Sequence, residues 1–244
     1  MGYKSPNRLF YAIFILLFLT IVSQPAKGQA LIALLLGDKV GSDNVKMGLF
    51  LGEQGSYISN ANTTSFKPNL SLAIGAYVDV KIDKNNKWFI QNYLLFKAPK
   101  GASGLDVNKE SFPVDTFITA HTDMIKRSLT YLQLTPVVRY CFTPSWSVGL
   151  GPYVGFLIKG TDTYSAHLDK GDLAHTMKMT NNYRTVECGL AFDVQYRLLK
   201  GRGIQVNLRY ELGLLNVYKS NTGMNGLNRA FHLGVGIPIL GNKK

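Results

Sequence analysis

The stretch Tyr183–Val217, YRTVECGLAFDVQYRLLKGRGIQVNLRYELGLLNV, decides the fold. Its even positions run Val186, Cys188, Leu190, Phe192, Val194, Tyr196, and then Ile204, Val206, Leu208, Tyr210, Leu212, Leu214. Its odd positions include Glu187, Gly189, Ala191, Asp193, Gln195, Arg197, and then Gln205, Asn207, Arg209, Glu211, Gly213. Side chains on a strand alternate faces, so each segment has one apolar face and one polar, glycine-bearing face. The break LKGRG supplies two glycines, which suits a tight turn between antiparallel strands. Each arm exceeds the ~5–6 residues of ordinary strands and matches the ~9–11 that cross a bilayer.

The same alternation recurs outward from this hairpin. Val45–Ile58 and Leu70–Ile82 precede it, together with Lys87–Ala98, which is apolar on both sides. Ser128–Phe142, Trp146–Lys159 and finally Asn228–Leu240 bring the total to eight strands. Pro136 interrupts its strand, and a closed sheet offers no edge for a missing N–H, so a local bulge or distortion is expected there. Short breaks (DKNN, TPS, KGRG) alternate with long ones, notably Pro99–Arg127 and Gly160–Asn182. That asymmetry belongs to an up-and-down barrel with short periplasmic turns and long external loops.

Ahead of the strands, Lys4 and Arg8 precede the apolar run Leu9–Val22, and small residues follow at Gly28-Gln29-Ala30. This is the pattern of a secretory signal, with an apolar run too short for a spanning helix. Residues 1–30 are therefore read as a signal peptide, 31–44 as an N-terminal periplasmic packing segment, and 45–240 as the barrel.

Alternation alone does not say which face looks outward, since a soluble barrel with an apolar lumen has the same pattern inverted. Strand length favours the membrane form. So do Trp88, Tyr140, Trp146 and Tyr196 near strand ends on the apolar face, where interfacial girdles lie. Glycine on the polar face suits an eight-stranded lumen, which side chains alone can fill. The fold class is therefore all-β: an eight-stranded antiparallel up-and-down transmembrane barrel. The formal net charge of +12 is dispersed, which fits a solvated surface or contact with anionic lipid headgroups and sugar phosphates, not a nucleic-acid stripe. Cys141 and Cys188 fall on opposite faces, so no disulfide is expected between them.

With these residues in view, the chain resembles a bacterial outer-membrane barrel of the PorT-like "porin family" type. The likeness lies in LIALLLGDKV after the signal, YLQLTPVVRYCF, VGLGPYVGFL and the closing NRAFHLGVGIPI. It implies an eight-stranded barrel of OmpX- and OmpA-like architecture in the outer membrane of a Gram-negative bacterium. One member type is associated with protein secretion.

On the proposed lumen face lie Arg139, Glu187, Asp193, Arg209 and Glu211, with Asp79, Lys81 and Lys159 nearer the ends. Buried charges must be paired or hydrated, so these residues read as a salt-bridged structural plug in preference to an ion or proton path. His167, Asp169, Asp172 and His175 sit in the Gly160–Asn182 loop, and His121 and Asp123 in the other long loop. Neither set has metal-site geometry or a catalytic motif beside it. The reading is a non-enzymatic envelope protein without a cofactor. Its partners are outer-membrane lipids and, through the long loops, other envelope or secretion proteins. A small-solute porin and a lipid-modifying enzyme are the alternatives.

Overall fold

A computed structural model describes residues 45–112, 122–168, 171–201 and 203–240. The signal peptide and the 31–44 segment lie outside them, as do His121 and Asp169. Ten strands are formed among the described residues: β1 (Val45–Ser59), β2 (Thr63–Lys67), β3 (Asn69–Lys81), β4 (Trp88–Asp106), β5 (Met124–Cys141), β6 (Trp146–Leu168), β7 (Gly171–Lys178), β8 (Val186–Arg197), β9 (Gln205–Asn216) and β10 (Leu227–Leu240). Eight of them close into an antiparallel ring, in the order β1, β3, β4, β5, β6, β8, β9, β10 and back to β1. Closure leaves the wall without an edge, which a bilayer demands.

The ring is staggered. Ladder partners followed from Trp88 run through Tyr140, Val148, Val194, Leu208, Leu233, Glu53 and Leu72. The path returns to β4 roughly ten residues farther up, the stagger that accompanies tilted strands in a small barrel. Leucines, valines and phenylalanines of the even-numbered series in β8 and β9 stand on the outer surface, whereas Glu187, Gln195, Arg209 and Glu211 are buried within. The apolar face thus looks outward, and Leu233 keeps 59% of its surface exposed while Glu211 keeps none.

The structure overturns two expectations, on the Gly160–Asn182 loop and on Lys159, and sharpens two other readings. The disturbance expected at Pro136 is a distortion and not a bulge: the register between β5 and β6 is the same on either side of it, and the pairing lapses at 135–137. The Gly160–Asn182 loop is largely a hairpin, because β6 continues to Leu168 and β7 pairs back along it from His167↔Asp172 to Thr161↔Lys178. Lys159 is exposed on the outside, because a register shift near Leu157 reverses the alternation above it. The two-sided apolar pattern of the third strand has a cause in the fold: a shift between Leu95 and Ala98 places Phe96 and Lys97 both on the outer face. Two residues facing one partner is the geometry of a β-bulge, and it reverses which residues point inward beyond that point.

Above the ring, β4, β5 and β6 continue past the ends of the other staves. With β2 on one side and β7 on the other they form an open sheet, β2–β4–β5–β6–β7. The outward apolar series on β6 ends at Phe156 and Ile158, and Lys159, Thr161 and Thr163 follow, so this head lies beyond the apolar band.

Candidate functional site

The lumen is filled in three tiers. In the lowest, Arg197 Nη2 donates to Asp79 and its Nε donates to Gln195 Oε1 at 3.0 Å. In the same tier Gln91 accepts from the Tyr93 hydroxyl at 2.7 Å. Arg139 then binds Asp193 with its Nη2 at 2.7 and 2.9 Å from the two carboxylate oxygens. Arg209 approaches Asp193 Oδ2 from the other side at 3.3 Å, with its guanidinium 3.8 Å above the Tyr93 ring. Arg139, Asp193 and Arg209 therefore form one group, one carboxylate between two guanidinium ions.

The middle tier is centred on Lys100. Its Nζ lies 2.9 Å from Glu187 Oε1 and 3.0 Å from Glu211 Oε2, 3.9 Å above the Tyr153 ring. Glu187 accepts further bonds from Tyr153 Oη at 2.7 Å and Asn228 Nδ2 at 2.9 Å. Glu211 Oε1 accepts from Gln133 Nε2 at 2.7 Å and faces His232 Nε2 at 3.3 Å. Arg209 Nη1, 3.9 Å from Glu211 Oε1, joins the middle tier to the one below. Removing one partner from such a buried pair typically costs about 3–5 kcal/mol, because the other charge is left uncompensated.

The top tier closes the lumen beneath the head. Arg127 Nη2 sits 2.8 Å from Asp162 Oδ2, its Nη1 donates to Tyr218 Oη at 2.7 Å, and its Nη2 donates to the Glu110 carbonyl at 2.8 Å. Tyr183 Oη donates to the same Asp162. The Glu110 carboxylate accepts from the backbone and side chain of Asn62 at 2.8 and 3.0 Å. Phe112, Tyr183 and Tyr218 pack ring on ring around the guanidinium. One arginine thus ties the wall to the connections on both sides of it.

Lys100, Arg127, Asp162, His232 and Tyr153 carry much of this network and were not among the sequence candidates for it. Lys100 and Asp162 point inward only because of the register shifts below them. The run Leu94-Leu95-Phe96, where strict alternation fails, is the one signal in the sequence that could have located the first shift. Of the loop residues, His175 is exposed on β7 opposite Tyr164, and the paired backbone at His167 and Asp172 lies one step from the hairpin end. Lys81 is half-buried at the lower end of β3. On the outer surface Trp88 packs on its ladder partner Tyr140, ring centroids 4.9 Å apart, and Trp146 on Tyr196 at 4.8 Å. All four rings sit at the end of the wall that carries the short turns.

A closed antiparallel ring with hydrocarbon outside and paired charge inside defines a transmembrane β-barrel. Residues 34–219 match the outer membrane protein beta-barrel domain family, and the chain belongs to that family. Its place is the outer membrane of a Gram-negative bacterium. Among solved structures it is similar to Ail, the attachment invasion locus protein of Yersinia pestis (10% identity, TM-score 0.42, 80% of this chain and 99% of the other). It is also similar to Neisserial surface protein A, NspA (10%, TM-score 0.37, 80% and 96%), and OprG of Pseudomonas aeruginosa (12%, TM-score 0.31, 80% and 94%). Comparison with curated proteins finds no match.

Proposed function

We propose that this protein is a non-enzymatic, non-conducting outer-membrane barrel that holds a rigid β-sheet outside the membrane for a protein partner. The observation that carries the reading is the head: among the described residues β7 pairs with β6 alone, and its other edge is open. An open edge offers unpaired backbone N–H and C=O groups in register, which an extended segment of a partner can extend by one strand. Leu173, 61% exposed on β7, supplies an apolar anchor beside it. The Arg127 tier supports this use, because it fixes the head to the wall and so lowers the ordering cost of binding. The paired lumen charges support a structural plug in place of a solute path. A signal peptide over residues 1–30 would deliver the chain. The likeness to PorT-type barrels rests on the quoted sequence stretches and would make the partner a secretion component.

Two measurements test the reading. Refolded protein in planar bilayers is expected to show no conductance steps, and regular steps would replace the plug with a pore. A photo-crosslinker at Leu173 on intact cells is expected to trap a discrete partner. That adduct should disappear with Thr176→Pro while heat-modifiable gel migration stays normal. Unchanged crosslinking in the proline variant would remove the edge from the mechanism.

A further inference from the structure

One face of the membrane wall carries two charges. Glu53 on β1 is exposed on the outer surface, and its ladder partners there are Leu233 and Leu72. Its neighbours along and diagonal to the strand are Leu51, Gly55, Phe231, Val235, Leu70 and Ile74. Lys97 on β4 is also exposed, turned outward by the bulge beside Phe96 and paired with Ile74. Neither forms an ion pair among the described residues. An ionisable group in the apolar band is costly and marks a functional contact by default.

The two charges share one depth. Leu51, Ile74 and Lys97 form one ladder row, and the row climbs toward the head on passing from β1 through β3 to β4. At a strand tilt near 40°, two ladder steps raise Lys97 above Leu51 by about 6 Å, and two residues along β1 raise Glu53 by about 5 Å. Acid and base therefore flank β3 at the same level. Beside Glu53 lies a cavity of about 360 Å³ where Gly55 has no side chain, bordered by Leu70, Leu208, Phe231 and Leu233. Beside Lys97 protrudes Phe96, 50% exposed.

The geometry points to a second copy of this chain as the occupant of this face. A two-fold axis along the membrane normal, in front of β3, keeps depth unchanged and so sets each Glu53 against the Lys97 of the other copy. The patch is self-complementary in charge, as an isologous interface requires. In lipid, apolar area alone does not drive association, so the paired charges supply the preference.

The test uses a charge exchange between copies. Protein labelled at an Asn85→Cys turn site, with Cys141 and Cys188 replaced by alanine, is reconstituted in phosphatidylethanolamine–phosphatidylglycerol vesicles. Energy transfer between donor- and acceptor-labelled copies reads the association. Glu53→Lys alone and Lys97→Glu alone are each expected to weaken self-association about tenfold, within the range of polar contacts between membrane segments. Mixing the two variants restores both ion pairs and should restore the transfer. Folding of each variant is checked by heat-modifiable migration, and Glu53→Gln with Lys97→Gln replaces any that fails, each expected to lower the transfer. Overturning results are native protein that transfers no more than random mixing at any protein-to-lipid ratio, single variants that associate as the native chain does, or a mixture without rescue.

Discussion

Pro136 on β5 stands directly across from Pro152 on β6, and the ladder between the two strands lapses at just that point without changing register. Two imides placed opposite each other concentrate the missing donors in one interruption, where separate prolines would cause two. Replacing both with valine is expected to create two amides that bond reciprocally. Each bond contributes about 0.5–1.5 kcal/mol, offset by about 0.4–1 kcal/mol from the looser unfolded chain. Hydrogen exchange at the new amides checks this; exchange as fast as in the loops would mean the strands stay apart there.

Lys100 holds two carboxylates together, so its loss is expected to cost more than the loss of either acid. Lys100→Met should lower the stability of the folded barrel by about 3–5 kcal/mol. Adding Glu211→Gln should recover part of it. Urea titrations in micelles, followed by gel migration, compare the three proteins. Equal midpoints would show that water or another cation compensates Glu187 and Glu211.

The Arg127 tier predicts a separation between head and wall. Arg127→Leu leaves Asp162 and Glu110 without their shared cation while leaving the lower tiers intact. Limited proteolysis is expected to cut the head at least tenfold faster, since two buried pairs worth a few kcal/mol are lost. The ring should still migrate as a folded barrel. Loss of both together would mean that head and wall unfold as one unit.

In the turn below β4, Asp83 accepts bonds from the Trp88 and Lys87 backbone N–H groups, each at 3.0 Å. The bond from Trp88, foremost, holds its carboxyl below the ordinary carboxylate range. A depressed folded value stabilises the ionised form above the unfolded value of about 3.9, and that stabilisation fades as the pH falls through the folded value. Asp83→Asn should therefore lower the melting temperature at pH 7, with the gap closing in strong acid. A gap constant with pH would assign the effect to the turn's shape in place of its charge.

Much of the wall can be read in the sequence because period-two alternation survives in lipid as it does in water. Val186 to Tyr196 and Ile204 to Leu214 alternate without a break, and the structure puts their apolar series outside. What alternation does not contain is the change of phase. At Phe96–Lys97 and at Leu157–Lys159 one extra residue reverses the faces, so Lys100 and Asp162 turn inward and Lys159 outward. The head was hidden for another reason. Its strands, such as residues 101–106 with their Gly-Ala-Ser-Gly composition, have little apolar rhythm of their own and become strands only beside their neighbours.

The lumen contacts also constrain how the barrel enters its membrane. Asp79 belongs to β3 and its arginine to β8; Lys100 belongs to β4 and its carboxylates to β8 and β9; Arg139 belongs to β5 and Asp193 to β8. A half-cylinder cut anywhere across these links would carry naked charge into hydrocarbon. Insertion with the early and late strands crossing together keeps these pairs made, whereas a chain stalled before β8 emerges leaves Asp79, Lys100 and Arg139 without their partners.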